Sequence, residues 1–466
     1  MNYTQSVEAL YALGLELHGA PRKYDLAHMR ALAAELGDPQ KQFKCVLIAG
    51  TNGKGSTAAT LAAILKEAGH KTALYTSPHL LRVNERIKVN GEEISDAIFA
   101  AMFERVITAG EKLVAAGELP MKPSFFEVLT AMAYLHFAQE KVDIAVLEVG
   151  LGGRLDATNI TEPMVSVITD IELDHQQYLG NTIGEIAREK CGILRKAGVM
   201  VTLPQHPQAN EVIGNAAIGI GCRAVSAAEY VPNVSPGGQQ TAQQSNRLES
   251  ETPNRANQPY FVRNRYFLDV MGEDVLIESP LLGRHQMRNI ALAVAAAVEL
   301  TKLGFDISPA AISEGVRNTE WPARFQHIPG HALRGGSWPD VIIDVAHNPA
   351  GAWALRSAIS EFVGERPVMM VFGAMKDKSV GEMAEILFPL ASRVVLTMAD
   401  NPRAASCEEI RKAAHRVQTE FVDTMQMSVG LEAARELAME KKHGVIVVCG
   451  SVYLAGEALR LLKPKM

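Results

Sequence analysis

The sequence predicts an α/β fold with two domains, and three observations support this prediction. Short apolar runs alternate with longer helical patterns along the 466 residues, as βα units do. Most of the runs are apolar throughout rather than alternating, which is typical of parallel strands covered on both faces. The runs also fall into two groups, one ending near residue 300 and one beginning near residue 340.

The strand candidates of the first group are CVLIAG (45–50), KTALYTS (71–77), DIAVLEVG (143–150), MVSVITDI (164–171) and GVMVTLP (198–204). Those of the second group are DVIIDVAH (340–347), PVMMVFGA (367–374), RVVLTMA (393–399) and HGVIVVCG (443–450). Segments such as 55–69 and 288–304 read as helices that end at glycine. The Trp-Pro pair in NTEWPARFQ suggests a linker. We therefore predict an N-terminal domain over 1–317, a linker over 318–324 and a smaller, Rossmann-like C-terminal domain over 325–466.

Two stretches interrupt this pattern. Residues 231–260 are rich in Gln, Asn, Ser and Pro and nearly lack large apolar side chains. Such a composition buries too little surface to offset its ordering entropy, so we predict a mobile surface insertion, with a ligand-binding lid as the alternative. GHALRGGSWPD (330–340) resembles a second, shorter insertion.

The composition narrows the range of partners and compartments. A formal charge of −6 argues against a nucleic-acid binder that depends on phosphate contacts. The five cysteines are scattered and odd in number, which disfavours a disulfide framework or a structural zinc site. No signal peptide is recognisable, and no apolar run reaches the ~18 residues of a membrane span. We expect a cytoplasmic protein without nucleic-acid or membrane partners.

The stretch IAGTNGKGSTAA (48–59) has the composition of a phosphate-binding loop but an unusual spacing. In the common pattern a hydroxyl residue directly follows the lysine, whereas here Gly55 separates Lys54 from the hydroxyls. A strand precedes the loop and a helix follows it, so backbone N–H groups at the helix N-terminus favour an anion. A glycine-rich turn with an exposed lysine is the alternative. The residues predicted to bind nucleotide here are Asn52, Gly53, Lys54, Gly55, Ser56 and Thr57.

Glu148 ends an apolar strand and is followed by a glycine-rich turn. Ligands bind at the carboxyl edge of open parallel sheets, and Mg²⁺ takes one or two protein oxygens besides phosphates and water. Glu148 is therefore a candidate magnesium ligand, and a surface glutamate at a strand end is the alternative.

The glycine between Lys54 and the hydroxyl residues that follow it is typical of one protein family. GTNGKGST resembles the loop of the Mur ligase superfamily, in particular its folylpolyglutamate synthase branch, which carries a glycine between the lysine and the hydroxyl. Further stretches that match in order across both predicted domains are YTSPHLLRVNERIKVNG, LEVGLGGRLDATN, TDIELDHQQYLG, IAREKCGI, HQMRNIALA, WPARFQ, DVAHNPAG, FGAMKDKS and GSVYLAGE. The insertions at 231–260 and 330–340 are not part of the family pattern.

This resemblance implies ATP-dependent amide-bond formation in an N-terminal P-loop-type ATPase domain with a mostly parallel sheet. A carboxylate is phosphorylated by ATP, and the amino group of L-glutamate attacks the acyl phosphate. The implied acceptors are folate and, if the chain is bifunctional, dihydropteroate. The implied cofactors are ATP and two magnesium ions, and the implied state is a monomer.

The resemblance also assigns roles to individual residues. The implied metal ligands are Ser77, Glu148 and His175, with Asp174 orienting or sharing the role of His175. The implied nucleotide contacts outside the loop are Asn289, Arg324 and Asp344, and their separation implies domain closure over ATP. The predicted catalytic residues are Lys54, Lys190 and His347. Lys190 matches a lysine that is carbamylated in several members, and Ser451 and Tyr453 are weaker candidates near His347.

Three segments match contacts of the family with its pteroate substrate. The corresponding residues are Lys23, Tyr24, Asp25 and Leu26; Ser124, Phe125, Phe126 and Glu127; and Leu155, Asp156 and Ala157. The two phenylalanines are suited to stacking on a flat ring, although a hydrophobic helix face explains them nearly as well.

Three functions remain open at this point. The first is ligation of L-glutamate to folate, with ligation to dihydropteroate as a second activity. The second is another Mur-type ligase that acts on a cell-wall precursor or a poly-amino-acid. The third is a nucleotide-binding regulator without ligase activity, which would not need the second α/β domain.

Overall fold

The computed structural model describes residues 1–14, 26–232, 263–333 and 336–462. These residues form two compact units. The first comprises Met1–Pro232, Phe267–Ile277 and Arg288–Glu320, and the second comprises Asn233–Tyr266, Glu278–Met287 and Trp321–Met466, in each case as far as the chain is described. The domain limits proposed from the sequence stay a prediction, and we describe each unit by itself.

The first unit is built on an eight-stranded sheet with the strand order β4-β3-β2-β5-β1-β6-β7-β8. Its strands are β1 Lys44–Ala49, β2 Thr72–Tyr75, β3 Ile87–Val89, β4 Glu92–Glu93, β5 Ile144–Glu148, β6 Val165–Ile168, β7 Val199–Thr202 and β8 Arg223–Ser226. The six strands from β2 to β8 in this order pair in parallel, and β3 and β4 add an antiparallel edge. The predicted mostly parallel sheet is confirmed.

The apolar runs become strands because helices cover the sheet. Every residue of β2, β5 and β6 is buried, which is why these runs show no alternation. The helices up to residue 320 are α1 Tyr3–Ala12, α2 Leu26–Glu35, α3 Lys54–Glu67, α4 Asp96–Ala115, α5 Phe125–Gln139, α6 Gln176–Leu179, α7 Ile183–Cys191, α8 Pro207–Ile220, α9 Arg284–Lys302 and α10 Pro309–Arg317. Between β8 and α9, Asn264–Val270 (β9) and Glu273–Ser279 (β10) form a two-stranded ribbon.

The second unit contains a six-stranded sheet with the order β11-β12-β16-β13-β14-β15. Its strands are β11 Gln326–Ile328, β12 Asp340–Ile343, β13 Val368–Phe372, β14 Arg393–Leu396, β15 Phe421–Asp423 and β16 Val445–Cys449. Only β11 pairs antiparallel, with β12; the remaining pairs are parallel. The helices are α11 Pro349–Phe362, α12 Val380–Leu387, α13 Cys407–Ala413, α14 Met427–Met439 and α15 Val452–Leu461, so this unit is the predicted second α/β domain.

The structure describes the two predicted insertions to different extents. Of residues 231–260, only the first two lie within the described part of the chain, so the predicted mobility is not addressed. Part of 330–340 is described and packs against α14, where the Arg435 guanidinium lies 5.0 Å from the centre of the Trp338 ring. The Arg435 Nε also donates to the Ser337 carbonyl at 2.8 Å. This shorter insertion is therefore attached to the second unit.

Across the described ranges, no helix combines the length and the apolar character that a membrane crossing requires.

Candidate functional site

The phosphate loop runs from the end of β1 into α3, as the sequence predicts. Gly53 precedes the helix with φ +88°, a left-handed conformation that glycine adopts without steric cost. A Cβ atom on Gly53 would also lie 2.2 Å from Oδ1 of Asn289. Glycine is therefore required at this position both by its backbone conformation and by the closeness of Asn289.

The loop side chains surround the start of α3. Ser56 and Thr57 are buried, and the Thr57 hydroxyl donates to the Asn289 carbonyl at 3.4 Å. Lys54, the first residue of the helix, donates from Nζ to the Thr51 carbonyl at 3.2 Å. The first N–H groups of α3 and a lysine therefore lie at one place, which suits an anion.

Lys190 reaches the same loop from α7. Its Nζ donates to the Gly50 carbonyl at 2.7 Å, and the side chain is buried. Burial and the neighbouring positive charge of Lys54 lower the pKa of Lys190 to about 7, while Asp174 and Asp156 act in the opposite direction. A large fraction of the Lys190 amine is therefore neutral near pH 7.

Glu148 and Ser77, two of the predicted metal ligands, are neighbours at the carboxyl edge of the sheet. Glu148 ends β5, is paired in register with Ile48 and is 4% exposed. The Ser77 backbone N–H donates to Oε2 of Glu148 at 3.1 Å. The parallel pairing of β5 with β1 and β2 thus brings Glu148 and Ser77 to the sheet edge at which β1 leads into the phosphate loop.

His175 lies in the segment that follows β6. It has a left-handed backbone with φ +50°, and its backbone N–H donates to Oδ1 of Asp174 at 2.9 Å. The Asp174 carboxylate also acts electrostatically on Lys190. Within the part of the chain that the structure describes, no three His, Cys, Asp or Glu side chains form a ready-made metal site. This donor set fits Mg²⁺ held largely by nucleotide phosphates and water, with one or two protein ligands.

The predicted pteroate segments are partly described. Lys23, Tyr24 and Asp25 lie outside the described residues, whereas Leu26 begins α2. Ser124 and Glu127 form a reciprocal capping box at the start of α5. The carboxylate of Glu127 also lies 3.9 Å from Nδ1 of His28, so the segments around 26 and 124 are neighbours in the fold.

The two phenylalanines after Ser124 have different environments. The Phe125 ring is buried and stacks with Tyr11 at a centroid distance of 5.6 Å. The Phe126 ring is half-buried and lies against Gly150, where an added Cβ would approach it to 2.5 Å. Phe125 thus belongs to the packed interior, and Phe126 lies beside the turn that follows Glu148.

Asp156 organises the turn after Glu148. Its carboxylate accepts the backbone N–H groups of Leu151 and Thr158, each at 3.0 Å. Burial raises the pKa of Asp156, and these hydrogen bonds partly oppose that effect. The neighbouring residues Leu155 and Ala157 are half-buried and buried. The predicted contact of this segment with substrate stays a prediction.

The second unit holds the remaining predicted residues near the end of β12. Asp344 is buried and accepts the N–H groups of Phe325 and Ala346, each at 2.7 Å. Burial raises the pKa of Asp344, and its N–H partners and the Arg324 charge oppose this. The Arg324 guanidinium lies 5.6 Å from the centre of the Trp321 ring.

His347 follows the same strand. Its Nδ1 lies 2.9 Å from the Val345 carbonyl, and because a carbonyl only accepts, Nδ1 carries the proton in this hydrogen bond. The basic lone pair of the neutral ring is therefore on Nε2. Ser451 caps α15 by accepting the N–H of Tyr453 at 3.2 Å, which gives both weaker candidates a local structural role.

Sequence reasoning missed Asp170 and Arg288, which contact the site from two sides. The Asp170 carbonyl accepts the N–H groups of Thr51 and Asn52 at 2.8 and 3.2 Å. The Asp170 carboxylate forms an ion pair with Arg288 at 2.6 Å. Both residues fall inside motifs that were recognised, and their charges and their adjacency to site residues were the available signal.

Family models match both parts of the chain. Residues 48–297 match the Mur ligase middle domain, and residues 323–452 match the Mur ligase glutamate ligase domain.

Similar proteins cover nearly the whole chain. A dihydrofolate synthase/folylpolyglutamate synthase of Bacillus subtilis is 32% identical over 445 residues, with 95% of each chain covered. A folylpolyglutamate synthase of Lacticaseibacillus casei is 33% identical, with 99% of each chain covered.

Solved structures are similar over the same length. A Mycobacterium tuberculosis folylpolyglutamate synthase complexed with ADP and AMPPCP has a TM-score of 0.84 at 30% identity and covers 100% of both chains. An Escherichia coli structure in complex with DHPP and ADP has a TM-score of 0.79 at 26% identity and covers 99% of this chain and 97% of that one.

Proposed function

The chain belongs to the Mur ligase family, in the branch of the folylpolyglutamate and dihydrofolate synthases, and from this premise we propose how its residues carry out the reaction. The activity is ATP-dependent ligation of L-glutamate to the carboxylate of a folate-type acceptor. The assignment of residues rests on one observation. The phosphate loop, the Glu148–Ser77 pair and Lys190 all lie at the same edge of the first sheet.

The reaction has two steps. An oxygen of the acceptor carboxylate attacks the γ-phosphorus of ATP, the bond to the bridging oxygen breaks, and ADP leaves. The amine of L-glutamate then attacks the acyl carbon, the bond to phosphate breaks, and an amide, inorganic phosphate and a proton are formed. Negative charge concentrates at the transferred phosphoryl group, so catalysis depends on positioned donors and cations.

The phosphate loop supplies these donors. We assign phosphate binding to Asn52–Thr57, because the first N–H groups of α3 are not used within the helix. Lys54 donates from Nζ to the Thr51 carbonyl of the same loop, and we assign to this amine the contact with a phosphate oxygen. The glycine after Lys54 places both hydroxyl residues inside the helix, where they are buried.

Glu148, Ser77 and His175 are the proposed magnesium ligands. Glu148 is a buried carboxylate at the sheet edge beside the phosphate loop, where it accepts the Ser77 N–H at 3.1 Å, and a carboxylate oxygen is a ligand type that Mg²⁺ prefers. Magnesium, when bound, neutralises the phosphate charges during transfer. His175 is the less usual ligand, since imidazole suits softer metals, and its assignment rests on the family.

We also propose that Lys190 is carbamylated. The neutral amine attacks the carbon of CO₂, a nitrogen–carbon bond forms, and one proton is released. The pKa of about 7 supplies the neutral amine, and the product is an anion beside Lys54, which replaces a repulsion with an attraction. Intact mass spectrometry at pH 8 with bicarbonate should show the mass of one added CO₂ on the wild type and none on Lys190→Met.

Our proposal for which substrates accept L-glutamate rests on the relatives of this chain. The Bacillus subtilis relative is a dihydrofolate synthase/folylpolyglutamate synthase, and the Lacticaseibacillus casei relative is a folylpolyglutamate synthase. We propose that this chain accepts both dihydropteroate and reduced folate as a monomer. In the second unit, Arg324 and Asp344 keep their proposed nucleotide role, and His347 Nε2 is the proposed acceptor of the glutamate proton.

Phosphate release by the purified protein tests this proposal. The reaction contains MgATP and L-glutamate, with dihydropteroate or tetrahydrofolate in separate samples. We expect release with either acceptor and glutamylated products by mass spectrometry. Release with tetrahydrofolate alone would remove the dihydropteroate activity. Release with neither acceptor would reject the proposed substrate class.

A further inference from the structure

Arg288 and Asp170 form an ion pair to which no role has been assigned. The Arg288 guanidinium donates to both carboxylate oxygens of Asp170, from Nη2 at 2.6 Å and from Nε at 3.2 Å. Nη2 also donates to the Pro204 carbonyl at 3.1 Å. The two side chains are 32% and 29% exposed, so water screens the pair only in part. This two-pronged geometry fixes the orientation of the guanidinium as well as its distance.

Asp170 holds the phosphate loop with its backbone while its side chain binds Arg288. Its carbonyl accepts the N–H groups of Thr51 and Asn52. Two residues further on, Glu172 and Thr51 exchange a pair of hydrogen bonds: the Thr51 hydroxyl donates to the Glu172 carbonyl at 3.1 Å, and the Glu172 N–H donates to the Thr51 hydroxyl at 3.0 Å. The first half of the loop is therefore attached to the segment 170–172.

Arg288 connects the same segment to α9. The next residue on that helix, Asn289, lies against Gly53, and its carbonyl accepts the Thr57 hydroxyl. Successive residues of an α-helix point about 100° apart, so an anchor at Arg288 sets the rotation of the helix that presents Asn289. The segment bound by Arg288 also continues to Asp174 and His175.

We propose that the Arg288–Asp170 pair is a positioning pair for nucleotide binding. It fixes the rotation of α9, and hence Asn289, relative to the phosphate loop. Neither side chain is a catalytic residue, because each acts through a neighbour. The inference rests on the proposed function in one respect, namely that nucleotide binds at the loop beside Asn289.

Equilibrium binding of the non-hydrolysable analogue AMPPCP with Mg²⁺, measured by titration calorimetry, tests the pair without requiring turnover. We expect the Kd of Arg288→Met to rise about fivefold, the factor that corresponds to the ~1 kcal/mol of a well-formed, partly exposed ion pair. Asp170→Asn should give a similar rise. The double variant should be no weaker than the single variants, because both changes remove the same interaction.

A control variant shows whether the loss of an ion pair elsewhere in the chain also weakens nucleotide binding. Arg411 and Asp423 form an ion pair of the same 2.6 Å length in the second unit, and Arg411→Met should leave the Kd within twofold of the wild type. In steady-state assays, Arg288→Met should raise KM for ATP, with kcat and KM for glutamate unchanged within twofold. Arg288→Lys keeps the positive charge but lacks the planar guanidinium that donates to both carboxylate oxygens of Asp170. Its KM for ATP should lie between those of the wild type and Arg288→Met.

Several results would overturn the proposal. These are an unchanged Kd in Arg288→Met, additive losses in the double variant, or a fall in kcat at constant KM. If Arg288→Met does not fold, the same comparison is made with Arg288→Lys and Asp170→Asn, and equal Kd values for both and the wild type reject the pair. A wild-type protein that binds AMPPCP but does not ligate glutamate would reject the proposed function and leave this test intact.

Discussion

Replacing the buried Lys190 with methionine should stabilise the protein and abolish its activity. The side chain is 3% exposed, and its pKa falls from the ordinary 10.5 to about 7. Below pH 7 the folded and unfolded chains both carry the proton, so the cost of burying the charge is complete. Between pH 7 and 10.5 the unfolded chain binds more protons, so stability rises with pH. Above pH 10.5 the cost has disappeared.

The size of the effect follows from these values. A pKa lowered from 10.5 to about 7 corresponds, at ~1.4 kcal/mol per pH unit, to an upper limit of ~5 kcal/mol and to about 4 kcal/mol at pH 7. Methionine also loses the hydrogen bond to the Gly50 carbonyl, and leaving that acceptor unpaired costs ~2 kcal/mol. We therefore expect Lys190→Met to be more stable than the wild type by ~2 kcal/mol at pH 7.

Thermal unfolding in bicarbonate-free buffer without nucleotide measures this difference. The Tm of Lys190→Met should exceed that of the wild type by about 4 °C at pH 7, and the gap should close near about pH 9 and reverse above it, where the unpaired Gly50 carbonyl outweighs the remaining charge cost. Lys196→Met, at an exposed lysine of the same unit, serves as the control and should show no pH-dependent gap. A variant that is less stable than the wild type at pH 7, or a gap that does not change with pH, would refute the reasoning. Phosphate release by Lys190→Met should fall by at least about 100-fold, as for loss of a preorganised charged group.

Three further changes test the site. Gly53→Ala forces a side chain into the left-handed region and against Asn289, so we expect a loss of ~1–3 kcal/mol in chemical unfolding and a higher KM for ATP. Glu148→Gln keeps an acceptor for the Ser77 N–H but removes the charge; titration with Mg²⁺ should show half-maximal activity at a concentration about tenfold higher, and an unchanged titration would argue against a metal role. Asp156→Asn weakens the acceptor of two backbone N–H groups, so unfolding should show a loss of ~1–2 kcal/mol even without substrate. A change confined to KM for dihydropteroate would instead support direct contact.

The parallel core could be predicted from the sequence because burial on both faces leaves a strong signal. All nine strand candidates became strands; eight are shorter than predicted, as with 143–150, which became Ile144–Glu148, and 45–50 is shifted by one residue to Lys44–Ala49. The sequence did not predict the edge strands. Ile87–Val89 and Glu92–Glu93 are short, and Arg223–Ser226 is largely exposed, so none of them forms an apolar run. Their places are set by pairing with a neighbour rather than by their own composition.

Site residues could be predicted where a reactive side chain falls inside a recognisable motif. They were missed where a residue contributes only by its contacts with distant parts of the chain. Lys54 and Glu148 could be proposed from their positions after strands. The neighbours of Lys190, by contrast, come from segments far apart in the chain: its amine meets the carbonyl of Gly50 across 140 residues. Asp170 lies inside a motif of the family pattern, but a carboxylate after a strand does not indicate which arginine will bind it.

Lys190 is buried beside the phosphate loop, and the cost of burying its positive charge bears on whether this side chain is a cation or, as we propose, a carbamate anion. Lys54 lies close enough to Lys190 for its positive charge to lower the pKa of the Lys190 amine. The buried amine is the one that gives up its proton, because desolvation is the larger cause of its lowered pKa. A neutral amine is the form that reacts with CO₂, and the carbamate that we propose would be an anion beside the positive charge of Lys54. The positive charge of Lys54, which disfavours the unmodified ammonium, would therefore favour the modified, anionic side chain. It follows that bicarbonate should raise the Tm of the wild type near pH 8 and leave Lys190→Met unchanged, and equal shifts in both proteins would show that the carbamate is not formed at this lysine.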